Sequence, residues 1–318
     1  MPFLTNESLF DLVDQPTHLL ILGGGPIGLE MAQAFVGLGC QVTVIEAAQI
    51  AAKEDPELVA GLRSVLQRQG VVLMENAAVA EVRPGPTLRF KNGSHIRGSH
   101  LLVATGRQPN IEDLGLDAAR VRASPLGIET DRGLRSVTNR RVYAVGDIVA
   151  PRGIGPRAFT HVGSYHAEIV IRRALFRFPA RIDYAALPRV TYTDPELAQT
   201  GLTEKEARDA GHSVSILRWS LAENDRAIAE AETVGMIKLV VARGKVLGAG
   251  ILAPHAGEMI NQWTAGIAGG IPLSALARAV IPYPTRSEAG KRAAGSFYTP
   301  RLFSRSIKAF VRILSRLP

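Results

Sequence analysis

A chain of 318 residues has room for two or three domains with cores of their own, and an apolar content of 46% with 6% aromatics fits an ordinary soluble globular protein, not a disordered one. The single cysteine, Cys40, excludes an intrachain disulfide and a cysteine-rich metal site, so a reducing, cytoplasmic setting is expected. The net charge of +8 would suggest nucleic acid if it were spread over the chain, but seven cations and no acid follow Glu288, leaving only +1 elsewhere. A nucleic-acid partner is therefore disfavoured.

The first predicted elements lie in THLLILGGGPIGLEMAQAFVGLGCQVTVIE, which reads as strand, glycine turn, helix and second strand, one half of a doubly wound α/β fold. GGGP and Glu30 interrupt its apolar run, so it is not a membrane span, and no secretory signal is recognisable ahead of it. A return helix follows: Asp55 is its N-cap, Pro56 its first residue, Leu58, Val59, Leu62, Val65 and Leu66 its apolar stripe, and Gly70 its stop. A β-rich section has a hairpin turn at the KNG ending in Gly93 and a returning strand in SHLLVATGR, closing a Rossmann-type domain over residues 1–107. Residues 108–180 are turn-rich, with too little apolar periodicity for an independent domain. From Arg181 the strands IKLVV and KVLGAGIL, with a helix capped by Thr203 and Glu206 and stopped by Gly211, predict an α+β domain over 181–318.

Gly23, Gly25 and Gly28 fit GxGxxG, with Pro26 and Ile27 between them opening the helix. The first glycine permits the tight turn, the second lets backbone approach a pyrophosphate, and the third lets helix pack on strand. The helix N-terminus then offers free N–H groups to the phosphates. Glu46 ends the next strand eighteen residues after Gly28, where a carboxylate accepts from two ribose hydroxyls and repels a 2′-phosphate. Dinucleotide binding is thus favoured over a purely structural turn, and NAD over NADP. Taken singly, Glu30 reads as a solvated first-turn acid and the Gly146–Asp147 pair as an ordinary turn.

Five stretches alter that reading when taken in order: GGGPIGLEMAQAF, LLVATGRQPN, VYAVGDIV, YTDPELAQTGLTEKEAR and PYPTRSEAGKRAAGSFY. Their sequence and spacing resemble the flavin-dependent pyridine nucleotide-disulfide oxidoreductases, the family of dihydrolipoamide dehydrogenase, glutathione reductase and mercuric reductase, over nearly the whole chain. The mercuric reductase-like branch looks nearest. The resemblance implies that Gly23, Gly25, Pro26, Ile27, Gly28 and Glu46 hold NAD and that Glu30 lies beside FAD. It further implies that Ala104, Thr105, Gly106 and Arg107 carry the chain back to the flavin domain, and that Gly146 and Asp147 bind the ribityl chain. Residues 108–180 become the rear part of the FAD domain, and 181–318 the domain that makes a homodimer.

The same resemblance implies absences. The flavin's own glycine loop, the redox cysteine pair and the lysine partner of Glu30 have no counterpart, so roughly 100–150 residues, about one domain, are expected ahead of Met1. FAD binding by this chain is expected to be weak or lacking. Where many members carry His-Pro-Thr and a glutamate, this chain has Tyr283, Pro284, Thr285 and Glu288 as its candidate proton-handling end, although a phenol with a pKa near ~10 is a poor base at neutral pH. His161, His255 and Cys40 read as structural, and no metal is expected.

The expected function is hydride transfer from NADH to flavin and on to a small-molecule acceptor; the alternative is a non-catalytic, NAD-binding, dimerising module that works with a separate flavin-bearing chain. Phe303, Ile307, Phe310, Leu314 and Leu317, interleaved with Arg301, Arg305, Lys308, Arg312 and Arg316, predict a basic amphipathic C-terminal helix. Docking on the sister subunit is favoured over peripheral contact with an anionic membrane, because a short helix binds bilayers only marginally without a second anchor.

Overall fold

The computed structural model describes residues 3–316. Leu317, the last residue of the expected apolar stripe, lies outside them. The chain forms two compact units, one running up to Thr105 and resuming at Ala185, the other spanning Gly106–Tyr184.

The first unit begins with β1 (His18–Leu22), α1 (Pro26–Gly37), β2 (Gln41–Ile45), α2 (Pro56–Arg68) and β3 (Val72–Met74). A hairpin layer of β4 (Val79–Arg83), β5 (Thr87–Phe90) and β6 (His95–Arg97) precedes β7 (His100–Val103). Strands β3, β2, β1 and β7 pair in that order, all parallel, while β4 to β6 form a separate antiparallel sheet. The parallel strands are apolar on both faces, as burial between helices and a second layer requires. Leu19, Leu20 and Ile21 are all fully buried. The return helix forms as its sequence dictates: the Asp55 carboxylate accepts from Glu57 N, Pro56 starts the helix, and the five predicted stripe residues are buried.

The unit resumes as β11 (Arg189–Thr191), β12 (Glu196–Gly201), α4 (Glu204–Asp209), β13 (Ser215–Ser220), α5 (Asp225–Ala229), β14 (Met236–Ala242) and β15 (Lys245–Ala253). An antiparallel sheet ordered β11-β12-β15-β14-β13 packs beneath α6 (Ala256–Met259), α7 (Asn261–Ala268), α8 (Leu273–Arg278) and α9 (Ser287–Ser296). Trp263 anchors this core, and α9 lies close because its inner face is Ala289, Gly290, Ala293 and Ala294; a Cβ on Gly290 would sit 2.7 Å from the indole. Leu197 and Leu252 of this sheet share a cluster with Leu58 and Leu62 of α2, so the flanking segments of the chain form one packed body. The chain finishes with α10 (Thr299–Leu302) and α11 (Arg305–Leu314).

The second unit holds β8 (Ala123–Ser124), β9 (Gly127–Thr130), β10 (Val149–Pro151) and α3 (Thr160–Ala174) around a small core of Val121, Ile128, Leu134, Ala144, Val149, Ile169 and Ile182. Its few apolar residues explain the weak periodicity of this stretch: two- to four-residue strands leave no room for an alternating pattern.

Candidate functional site

At the carboxyl end of β1 the three glycines occupy different environments. Gly23 adopts φ +117°, and a Cβ there would fall 2.5 Å from the Ala104 carbonyl oxygen, so the turn is pressed against the end of β7. At Gly28 a Cβ would meet the Gly23 oxygen at 2.0 Å. Gly25 faces open space, with nothing within 4 Å of where its Cβ would be. Gly25 is also the N-cap of α1 and brings no side chain to cap it, while Pro26 takes the first helical position. Two glycines therefore let the turn close, and the third leaves bare helix N–H groups facing space.

Glu46 stands at the end of the neighbouring strand. Its Oε2 accepts from Gly24 N at 2.7 Å and its Oε1 from Ala48 N at 3.0 Å, which pins the carboxylate beside the turn. Ala104 is tied to β1 by its N–H donating to Leu22 O at 2.8 Å. Thus Gly23, Gly25, Pro26, Ile27, Gly28, Glu46, Ala104 and Thr105 share the first unit. Gly106 and Arg107 belong to the second. There the Arg107 guanidinium lies 3.6 Å from the Asp147 carboxylate and donates to Ala158 O at 2.8 Å.

Gly146 has φ +76° and donates its N–H to His166 Nδ1 at 3.1 Å. Because Nδ1 accepts, the ring proton sits on Nε2, which donates to the Tyr184 hydroxyl at 2.6 Å. Burial holds His166 below the usual imidazole range, with the Asp147 charge opposing, and pushes Tyr184 up to about 12. A neutral histidine therefore fixes the Gly146–Asp147 turn from behind, leaving the Asp147 carboxylate half-exposed. Sequence reasoning missed this residue. The available signal was its place at one-turn spacing between Val162 and Ile169, on the buried face of α3.

Glu30 on α1 accepts from Tyr192 N at 2.8 Å. Burial raises its carboxyl above the usual range and that hydrogen bond partly offsets the rise. Beside it Gln33 exchanges both amide contacts with the Asp194 backbone, at 2.6 and 2.7 Å. Tyr283 donates its hydroxyl to Asp225 Oδ2 at 2.8 Å, and that carboxylate holds the phenol above its usual range. Glu288 accepts from Arg292 at 2.9 Å and lines a shallow cleft with Trp219, Glu223, Asn224 and Asp225. Glu30 and the Tyr283–Glu288 pair are thus held by different partners. His255 takes a left-handed backbone at the start of α6, His161 stacks on Phe159, and Cys40 is buried. Among the described residues no group of three or more His, Cys, Asp or Glu is placed to hold a metal.

Residues 2–168 match the pyridine nucleotide-disulphide oxidoreductase family, and residues 187–294 match that family's dimerisation domain. The chain belongs to the pyridine nucleotide-disulphide oxidoreductases. It is 36% identical to a mercuric reductase of Streptomyces lividans over 93% of this chain and 63% of the relative. A dihydrolipoyl dehydrogenase of Geobacillus stearothermophilus is 33% identical over 92% of this chain and 63% of the relative. The solved HOCl-induced flavoprotein disulfide reductase RclA of Escherichia coli superposes with a TM-score of 0.84 at 27% identity, covering 92% of this chain and 68% of that one. LpdA of Mycobacterium tuberculosis gives the same TM-score and identity over 92% and 64%. The chain therefore spans about three-fifths of the curated relatives it matches. No helix among the described residues is long and apolar enough to cross a membrane.

Proposed function

We propose that this chain carries the pyridine-nucleotide half of a flavin-dependent oxidoreductase and selects NADH over NADPH. The observation that carries the reading is the pairing of an open Gly25, at the uncapped start of α1, with the carboxylate of Glu46 pinned beside the same turn. The N–H groups at the uncapped start of α1 would donate to pyrophosphate oxygens, which the positive dipole end favours. Glu46 would accept from the two ribose hydroxyls, and a carboxylate in that place disfavours the 2′-phosphate of NADPH.

The Asp147 turn fits FAD in the same limited sense: a half-exposed carboxylate on a backbone fixed by His166 would accept from ribityl hydroxyls, with the Arg107 guanidinium nearby. When bound, NADH supplies a hydride and FAD the two-electron acceptor. Tyr283, its phenol raised by Asp225, keeps its proton at neutral pH and serves as a hydrogen-bond donor, with Glu288 held in place by a hydrogen bond from Arg292. Residues 187–294 support a homodimer through their match to the dimerisation domain. The relatives are named as reductases and dehydrogenases, which favours this reading over a non-catalytic module.

The test is anaerobic bleaching of added FAD by NADH. The expected result is a rate above that of FAD and NADH alone, lost in Asp147→Ala while NADH binding persists. A rate equal to the protein-free control, in protein that binds NADH, would overturn the Asp147 role.

A further inference from the structure

The C-terminal helix is left without a role by the dinucleotide site. All residues of α11 are exposed, and the segment lies beyond residue 294, where the match to the dimerisation domain ends. At about 100° per residue, Ile307, Phe310, Val311 and Leu314 fall within one sector of about 100°, and Arg305, Lys308 and Arg312 fall on the opposite side. Phe303, just ahead of the helix, is 65% exposed, and Phe310 is 55% exposed. The Ser304 hydroxyl caps the helix start by accepting from Ile307 N, so the helix is locally specified.

We propose that α11 is an interfacial helix that seats this protein on an anionic lipid surface. Charge complementarity decides between the occupants of this face. After Glu288 there are seven cations and no acid, so the cationic side has no nearby carboxylate in sequence; Lys308 instead lies 6.0 Å from the Phe303 ring. The residues before that tail carry a net +1, so a second copy presents no net negative charge to the cationic side. Lipid headgroups supply the negative charge, and the acyl boundary accepts Phe310 and its neighbours. One short helix holds a bilayer only marginally, but a dimer presents two, and the second engages at high effective concentration. This avidity rests on the proposed homodimer; the lipid preference of the helix does not, and neither depends on NADH binding.

Flotation of the purified full chain with vesicles of phosphatidylcholine alone, or of phosphatidylcholine and phosphatidylglycerol in equal parts, tests the proposal, with light scattering recording the oligomeric state. Each cation near an anionic surface strengthens binding about fivefold. The expected result is binding to the mixed vesicles only, weakened at least about tenfold in Lys308→Glu/Arg312→Glu and at high salt, and lost in Phe310→Glu with the oligomeric state and NADH affinity unchanged. Three results would overturn it: no flotation with either vesicle, dissociation of the dimer by Phe310→Glu, which would place the helix against a second copy, or retention of RNA that Phe310→Glu leaves intact while vesicle binding is lacking.

Discussion

Two glycines three residues apart have opposite consequences for substitution. A side chain at Gly28 must displace the Gly23 carbonyl, so Gly28→Ala is expected to lower the melting temperature by several degrees as well as weaken NADH binding. The Cβ of Gly25→Val has no protein atom within 4 Å. It should melt close to the parent while losing NADH affinity by at least about tenfold, because its methyls occupy the space where backbone and pyrophosphate must approach. Calorimetry and NADH fluorescence on the two variants separate the structural glycine from the binding one. Glu46→Gln keeps an acceptor but removes the charge, so the ratio of NADPH to NADH affinity should rise by about tenfold, measured by competition titration. At this scale the turn was legible because its parts are contiguous, with apolar strand, glycines and helix each declaring a local geometry. His166 was not, because its two partners, Gly146 and Tyr184, are remote in sequence and a histidine on a buried helix face looks the same with or without them.

Among the elements, the joint between α2 and the antiparallel sheet is electrostatic. Lys238 lies in the apolar run of β14, 4% exposed, and its ammonium meets Asp55 at 2.8 Å, Glu57 at 2.9 Å and Glu204 at 3.1 Å. Arg218 of β13 grips Glu57 at 2.7 and 2.8 Å. Asp55 therefore serves twice, as N-cap of α2 and as counter-ion of a buried lysine. Lys238→Met leaves Asp55 buried without its partner and should cost about 3–5 kcal/mol, read from denaturant unfolding. The pH dependence has a defined sign. The Arg218 hydrogen bond holds Glu57 at about 2, so its contribution is present above the ordinary carboxylate value near ~4.3 and is lost as pH falls toward about 2. Burial disfavours the Lys238 charge, yet its bonds to Asp55, Glu57 and Glu204 outweigh this and raise its pKa. That contribution is present below about 10.4 and is lost as pH climbs through the raised value. Arg218→Ala should therefore be less stable than the parent at neutral pH, with the difference shrinking below about pH 4. An equal difference at pH 7 and pH 3 would contradict the assignment. The sequence already held a clue, since a lysine inside MIKLVVA breaks an otherwise continuous apolar strand. Its partner Asp55 is 183 residues away, beyond the reach of any local pattern.

Over the whole molecule, linear reading divides the chain into consecutive pieces, whereas packing joins the first and last of them around Leu58, Leu197 and Leu252. Parallel strands, caps and hairpin turns follow from local chemistry and were foreseeable; the pairing of α2 with a sheet formed after residue 185 is a long-range choice set by complementary burial and charge. The family match covers both the segment that holds α2 and the segment that holds this sheet, and the chain spans about three-fifths of these curated relatives. The most direct measurement is an NADH titration of the purified chain by nicotinamide fluorescence, run beside NADPH. A saturable NADH signal, with NADPH at least about tenfold weaker, is the predicted result. A folded protein showing no saturable NADH signal, or one that prefers NADPH, would contradict the account of Gly25 and Glu46.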